Sequence, residues 1–254
     1  MRHPASVRVV LAVLFVAFLP SCLGSATEPA GPVEGKAVLF IGNSLTYTND
    51  LPVIVAALAA ADGQEQLVTG WLAFPNYSLE DHWYDGRARS EIERGGWKFV
   101  VMQQGPSSTP ANQLHLATWA GRFAELADSI GARPALYMVW PESTRTEAFD
   151  AVSQSYRDAA AGVHGLLFPV GEAWRAAWRL DPDAPLYGPD GFHPSVEGTY
   201  IAALVMYQQL YDRSPVGLPH ELQLPGGGSL QIDSTLAHTL QEAAAEANEE
   251  FARQ

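Results

Sequence analysis

A serine at position 44, with an Asp-x-x-His pair (Asp190, His193) about 150 residues beyond it, gives this chain residue types that suit covalent catalysis. Ser44 lies in Val38-Leu39-Phe40-Ile41-Gly42-Asn43-Ser44-Leu45-Thr46, an apolar run that stops at Gly-Asn-Ser. A serine hydroxyl becomes a useful nucleophile when a base lies within hydrogen-bond reach and a carboxylate fixes the tautomer of that base. Asp190-Gly191-Phe192-His193-Pro194 supplies both groups within one turn of chain. A second reading stays open for Ser44, because serine and asparagine at a strand end often satisfy loose backbone groups. Asp190 has one too, since Tyr187-Gly188-Pro189-Asp190-Gly191 is strong turn sequence. A turn there is compatible with fixing a carboxylate against Nδ1 of His193.

The chain holds seven histidines. His115 and His238 fall on expected helices, as surface or core-edge residues, and His164 and His220 fall in loops with no evident partner. His82, in Ser78-Leu79-Glu80-Asp81-His82-Trp83, is the main competitor. Glu80, Asp81 and His82 could join Asp190 and His193 around a metal, but the spacing matches no zinc pattern. No metal or cofactor is therefore expected, and His82 reads as a structural hydrogen-bonding residue or a pocket wall.

The elements that must position these groups alternate. Lys36–Ile41 reads as a strand buried on both faces, and Asp50 can cap a helix from Leu51 to about Ala61. Gln66–Ala73, Trp97–Gln103, Pro134–Trp140 and Leu166–Val170 read as four more strands. Helical spacing marks Gln113–Ile130, Thr146–Gly162, a short piece near Glu172–Trp178, and Pro194-Ser195 onward to about Tyr211. Ser78–His82 and Ser90–Gly95 look like short helical pieces. This order predicts an α/β/α three-layer sandwich around a five-stranded, mainly parallel sheet. In such sheets the site lies beyond the carboxyl ends of the strands. The polar residues there are Asn43-Ser44, Asn76-Tyr77-Ser78, Gln103-Gln104 and Trp140-Pro141-Glu142-Ser143. Leu218–Ser229 reads as an irregular surface excursion. A last helix, Thr235–Phe251, has sparse apolar positions and is expected to pack lightly at the periphery.

The first residues carry a different signal. Arg2 and Arg8 precede eleven apolar residues, Val9 to Leu19, too short to span a bilayer and right for the core of a signal peptide. Leu19-Pro20-Ser21-Cys22 resembles a bacterial lipobox, and Cys22 is the only cysteine. The expected division is a leader over 1–21, a flexible tether over 22–35 and one domain over 36–254. The mature protein is then exported and lipid-anchored in the cell envelope, or cleaved nearby and secreted. Loss of Arg2 and Arg8 with the leader takes the formal charge from −13 to −15. Such acidity argues against nucleic-acid partners and against membrane contact other than through the anchor.

With these segments in view, the chain resembles the SGNH hydrolases, also called GDSL esterases and lipases. Gly42-Asn43-Ser44-Leu45 matches their first block, with Asn43 where aspartate is commoner, and Asp190-Gly191-Phe192-His193-Pro194 matches the last. The resemblance covers about Lys36 to Tyr211. It is nearest to a subgroup with Ile-Gly-Asn-Ser, Ser-Leu-Glu-x-His and a glutamine-rich third strand end, here Ile41–Ser44, Ser78–His82 and Met102–Gly105. It implies a flavodoxin-like sandwich and ester hydrolysis by Ser44, His193 and Asp190. It also implies an oxyanion hole formed by the Ser44 backbone, the Asn76 backbone in place of the family's glycine, and Gln104 or Gln103 in place of its asparagine. The glutamines have a plainer reading as ligands of loop backbone. Asn43, His82 and Trp140 are candidate pocket residues.

For an exported enzyme of this kind, the expected substrate is an acyl ester, acetyl above all, on a carbohydrate. Trp71, Trp83 and Trp140 lie near expected strand ends and suit either sugar rings or the core. No long apolar lid is evident, which disfavours a triacylglycerol lipase. A lysophospholipase or thioesterase of the same family, and a non-catalytic glycan- or partner-binding domain, are the alternatives.

Overall fold

The computed structural model describes residues 25–27 and 34–252. The leader and Cys22 lie outside the described residues. Beginning at a two-residue strand β1 (Ser25–Ala26), the chain forms β2 (Lys36–Gly42), a helical turn α1 (Ser44–Tyr47) and helix α2 (Leu51–Ala61). Strand β3 (Leu67–Ala73) leads to helices α3 (Leu79–Asp85) and α4 (Arg87–Arg94). Then come β4 (Phe99–Met102), α5 (Pro110–Ser129), β5 (Arg133–Tyr137), α6 (Phe149–Gly162), β6 (Leu166–Phe168), α7 (Val170–Leu180) and α8 (Val196–Tyr211). A hairpin of β7 (Glu221–Gln223) and β8 (Ser229–Gln231) precedes the last α-helix, α9 (Ser234–Ala247).

The main sheet has the order β1-β3-β2-β4-β5-β6, and every pair from β3 to β6 is parallel. β2 is central and buried from Ala37 onward, which is why its sequence is apolar without alternation. Helices α2, α7, α8 and α9 pack on one another as one layer, and α3 to α6 form the other. The order of the five parallel strands is the flavodoxin-like one, and its direction reverses between β2 and β4. The sites beyond the ends of β2, β3 and β4 therefore share one crevice.

The structure corrects several local expectations. Ser25–Ala26, inside the stretch read as a tether, pairs antiparallel with Trp71 and Leu72 and adds a sixth strand. The fourth parallel strand stops at Tyr137 rather than Trp140, so Met138–Trp140 leaves the sheet and remains buried. Helix α5 starts at Pro110 rather than Gln113, because Thr109 accepts a hydrogen bond from the Asn112 N–H and proline suits the first turn. The segment read as irregular contains the β7–β8 hairpin, whose Leu222 and Leu230 are buried opposite each other. Helix α9 is no peripheral passenger. Its alanines Ala237, Ala243, Ala244 and Ala247, with Leu240, are buried against α7 and α8. Alanine's small side chain permits close helix approach and so buries a face that counts of large residues miss.

Candidate active site

Ser44 is delivered by the end of β2. Gly42 must be glycine, since a Cβ there would lie 2.3 Å from Thr46 Oγ1 and 2.4 Å from Gln103 Oε1. Asn43 then caps α1, its Oδ1 accepting from the Leu45 N–H at 3.1 Å, while its Nδ2 donates to the Tyr77 carbonyl at 3.1 Å. The Asn43 N–H donates to Gln103 Oε1 at 2.9 Å, and Gln103 Nε2 donates back to Asn43 Oδ1 at 3.0 Å. The Gln103 amide thus grips Asn43 through both its backbone and its side chain, and the hydroxyl one residue on is half-buried rather than sunk.

His193 arrives on the turn before α8. The His193 carbonyl accepts from the Gly188 N–H at 2.7 Å, and the Gly191 carbonyl accepts from the Ser143 N–H at 2.8 Å. Gly191 has φ +69°, and a Cβ there would meet Ser143 Oγ at 2.4 Å. Asp190 Oδ1 accepts from the backbone N–H groups of Phe192 and His193, at 3.0 and 2.9 Å. Its Oδ2 lies 2.5 Å from His193 Nδ1, and His193 Nε2 lies 2.8 Å from Ser44 Oγ. The three side chains form one hydrogen-bonded line across 149 residues of sequence. The hydrogen bond from His193, followed by the backbone donors, holds the Asp190 carboxyl down to about 2. It is therefore charged at neutral pH.

Asn49 joins the two segments, and sequence reasoning missed it. Its Nδ2 donates to the carbonyls of Pro194 and Ser195, at 3.1 and 2.9 Å, and to Thr199 Oγ1 at 2.9 Å. Both Asn49 and Asp50 sit at positive φ, +54° and +56°. Asparagine and aspartate tolerate that conformation best after glycine, so the Asn-Asp pair was a signal available in the sequence.

The cleft beside Ser44 has a volume of about 430 Å³. It is lined by Asn43, Ser44, Asn76, Tyr77, Ser78 and Gln104, continued by Gly105–Ser107, Asn112, His115 and Phe192. Asn76 has φ +61°, and its backbone N–H makes no hydrogen bond among the described residues. The Ser44 N–H, first in its helical turn, has no intrahelical acceptor either. Gln104 reaches the cleft wall. Its Oε1 accepts from the Leu79 N–H at 3.3 Å, and its Nε2 donates to Ser107 Oγ at 3.0 Å.

Three candidate site residues do not reach the cleft and follow the structural alternative that each also carried. Gln103 is completely buried, its amide spent on Asn43, Thr46 Oγ1 and the Gln104 carbonyl, so it cannot face a substrate. His82 is 1% exposed and its Nε2 donates to the Gly42 carbonyl at 2.7 Å, which braces the end of β2. Burial pushes its imidazole pKa down, so it stays neutral. Trp140 is buried against Trp174, with ring centroids 3.6 Å apart, and its Nε1 donates to the Phe192 carbonyl at 3.0 Å. It supports the His193 turn from behind. Trp71 and Trp83 do not line the cleft either. His115, expected at a surface or core edge, lines the cleft, and His220, left without a partner, donates to the Ile232 carbonyl at 2.8 Å. Among the described residues no group of three or more His, Cys, Asp or Glu side chains is arranged to hold a metal. Glu80 and Asp81 are engaged by His115 and by the Ser78 cap, respectively.

No family model matches the chain, and no curated protein matches it by sequence. Solved structures do. A protein of Slackia heliotrinireducens placed among the SGNH hydrolases is 25% identical, with a TM-score of 0.60 over 69% of this chain and 99% of that one. A DUF4886 family protein of Bacteroides uniformis matches 86% of this chain and 96% of its own, at 19% identity and TM-score 0.67. An acetylxylan esterase of Geobacillus stearothermophilus matches 74% and 98%, at 13% identity and TM-score 0.52. The strand order and these neighbours give the chain the fold of the SGNH/GDSL hydrolases, with the Slackia protein similar in sequence as well. Among the described residues no helix is long and apolar enough to cross a membrane.

Proposed function

We propose that the protein is a serine esterase that removes a short acyl group, acetyl above all, from a hydroxyl of a carbohydrate. The observation that carries this reading is the line Asp190–His193–Ser44, with contacts of 2.5 and 2.8 Å. Ser44 Oγ attacks the ester carbonyl carbon while His193 Nε2 takes its proton, and Asp190 stabilises the imidazolium. The carbonyl oxygen, now negative, is met by the N–H groups of Ser44 and Asn76, with the Gln104 amide as third donor. Collapse expels the sugar alkoxide, which leaves with the proton from His193. Water then attacks the acyl-serine, giving its proton to His193, and the carboxylic acid and free Ser44 are released.

The cleft supports the substrate class. Asn43, Asn76, Ser78, Ser107 and Asn112 offer neutral donors and acceptors suited to hydroxyl groups. Its apolar lining comes from side chains such as Tyr77, Pro106 and Phe192, in an open cleft of about 430 Å³ that suits a short acyl chain. An acetylxylan esterase among the structural neighbours is consistent with that choice. The leader run and lone Cys22 support export and lipid anchoring in the envelope.

The test is covalent. A fluorophosphonate should modify one residue, Ser44, stoichiometrically, and His193→Ala should abolish the reaction. Absence of labelling at any pH overturns the assignment. Release of acetate from acetylated xylo-oligosaccharides in preference to long-chain lysolipids and acyl thioesters tests the substrate class.

A further inference from the structure

The cleft wall carries a second histidine, His115, paired with a carboxylate that the reaction above does not use. His115, on α5, has its Nε2 3.0 Å from Glu80 Oε2 at the start of α3, and its Nδ1 3.4 Å from Gln104 Nε2. The orientation of the Gln104 amide follows from its neighbours. Its other terminal atom faces the Leu79 N–H at 3.3 Å and must be the acceptor oxygen, so the atom facing His115 is the nitrogen. An amide nitrogen only donates. His115 Nδ1 is therefore the bare, accepting nitrogen, and Nε2 carries the proton donated to Glu80.

The direction of every bond is then determined. Leu79 N–H donates to Gln104 Oε1, and Gln104 Nε2 donates to Ser107 Oγ at 3.0 Å and to His115 Nδ1. Ser107 Oγ passes its own proton to the Gly105 carbonyl at 3.1 Å. The Gln104 backbone is fixed as well, its carbonyl accepting from Tyr156 Oη at 2.6 Å. Gln104 is buried, 4% exposed, and the terminal contact to His115 is the longest of the set. A hydrogen held at that length, beside a cleft-lining side chain, can be shared with an incoming oxyanion, while His115 Nδ1 keeps its contact and, with Ser107 and Leu79, holds the amide plane in place.

We propose that Glu80 and His115 form a positioning relay that presents the Gln104 amide N–H to the developing oxyanion. This deepens the esterase reading and rests on it. His115 is a positioning residue, since it acts through Gln104. The glutamine that replaces the family's shorter asparagine thus comes with its own brace, drawn from two helices.

The experiment measures kcat and KM for p-nitrophenyl acetate with the purified full chain and four variants. Gln104→Met, similar in volume and without the amide, should lower kcat about 100-fold with KM little changed. His115→Gln places its amide nitrogen near the Nε2 position, so it keeps Glu80 but loses the acceptor for Gln104. It should lower kcat about tenfold. His115→Asn places an acceptor near the Nδ1 position and should recover kcat to within about threefold of wild type. The double variant Gln104→Met with His115→Gln should be no slower than Gln104→Met alone, because the two act in one chain. Full kcat in His115→Gln, equal loss in the Asn and Gln variants, or additive losses in the double variant overturns the relay while leaving the esterase intact. Full kcat in Gln104→Met removes both the third donor and its brace. A wild type that neither hydrolyses the ester nor reacts with fluorophosphonate removes the esterase reading itself. Should Gln104→Met fail to fold, the Asn and Gln variants at His115, on a partly exposed helix face, decide the matter alone.

Discussion

Asn49 ties the Ser44 segment to the His193 segment, and its replacement separates two physical contributions. Its Nδ2 has two hydrogens shared among three acceptors, the carbonyls of Pro194 and Ser195 and Thr199 Oγ1. That amounts to about two hydrogen bonds, each contributing about 1 kcal/mol net in a partly buried setting. The residue also occupies φ +54°, which alanine tolerates about 1 kcal/mol less well than asparagine. Asn49→Ala should therefore cost about 3 kcal/mol, a fall of about 6–10 °C in Tm for a domain of this size. Asn49→Gly loses the same bonds but is at ease at positive φ, so it should lie between Ala and wild type. Both variants loosen the Ser44 to His193 contact and should lose about 10- to 100-fold in kcat, because small misplacements of reacting groups are costly. Thermal melts by circular dichroism and steady-state hydrolysis of p-nitrophenyl acetate supply the two readouts. Asn49→Gly melting and turning over like wild type would refute the tie; Ala and Gly variants of equal stability would refute the strain.

Asn43→Asp, which restores the residue commoner in the superfamily, should destabilise this chain by about 2–4 kcal/mol in denaturant unfolding at neutral pH, because a carboxylate oxygen would face the Tyr77 carbonyl that Nδ2 now serves. The deficit should shrink in acid, where the protonated carboxyl can donate again. Asp190 has a folded pKa of about 2 against an ordinary 3.8, so its contribution to stability is fully present above about pH 4 and is lost as pH falls through about 2. An Asp190→Asn variant should lack that limb of the stability profile, which pH-dependent melts will show. Trp140→Phe should keep the stack on Trp174 but leave the Phe192 carbonyl without its donor, lowering kcat more than KM, whereas Trp140→Ala should also cost about 3–5 kcal/mol in stability.

The division between what the sequence shows and what it hides has a physical origin. The parallel sheet was legible because a strand buried on both faces has to be written as a continuous apolar run, as Ala37–Ile41 is, and because parallel pairing demands crossovers. Ser44, Asp190 and His193 were legible because strand end and turn present them locally, and the fold only had to bring two short segments together. Gln103 and Gln104 were not separable, since adjacent residues leaving a strand point opposite ways and nothing local says which faces the crevice. The structure sends Gln103 inward to hold Asn43 and Gln104 to the cleft wall.

The residues that stayed hidden act across long sequence distances with ordinary side chains. Asn49 reaches 145 residues along the chain and His115 meets Glu80 across 35, and neither spacing carries a pattern. Their existence nonetheless follows from the chemistry. A nucleophile and a base on separate segments must be held to a few tenths of an ångström, so some side chain has to bind both segments, and the positive-φ Asn-Asp pair five residues after Ser44 is the one placed to do it. By the same logic, a third block that exchanges asparagine for the longer glutamine needs extra restraint on the added torsion. Trp140 and His82 answer the equivalent demand from behind the site, holding the Phe192 and Gly42 carbonyls. Each had a structural reading beside the pocket one, and each is sealed in the core, where it braces the backbone that presents Ser44 and His193.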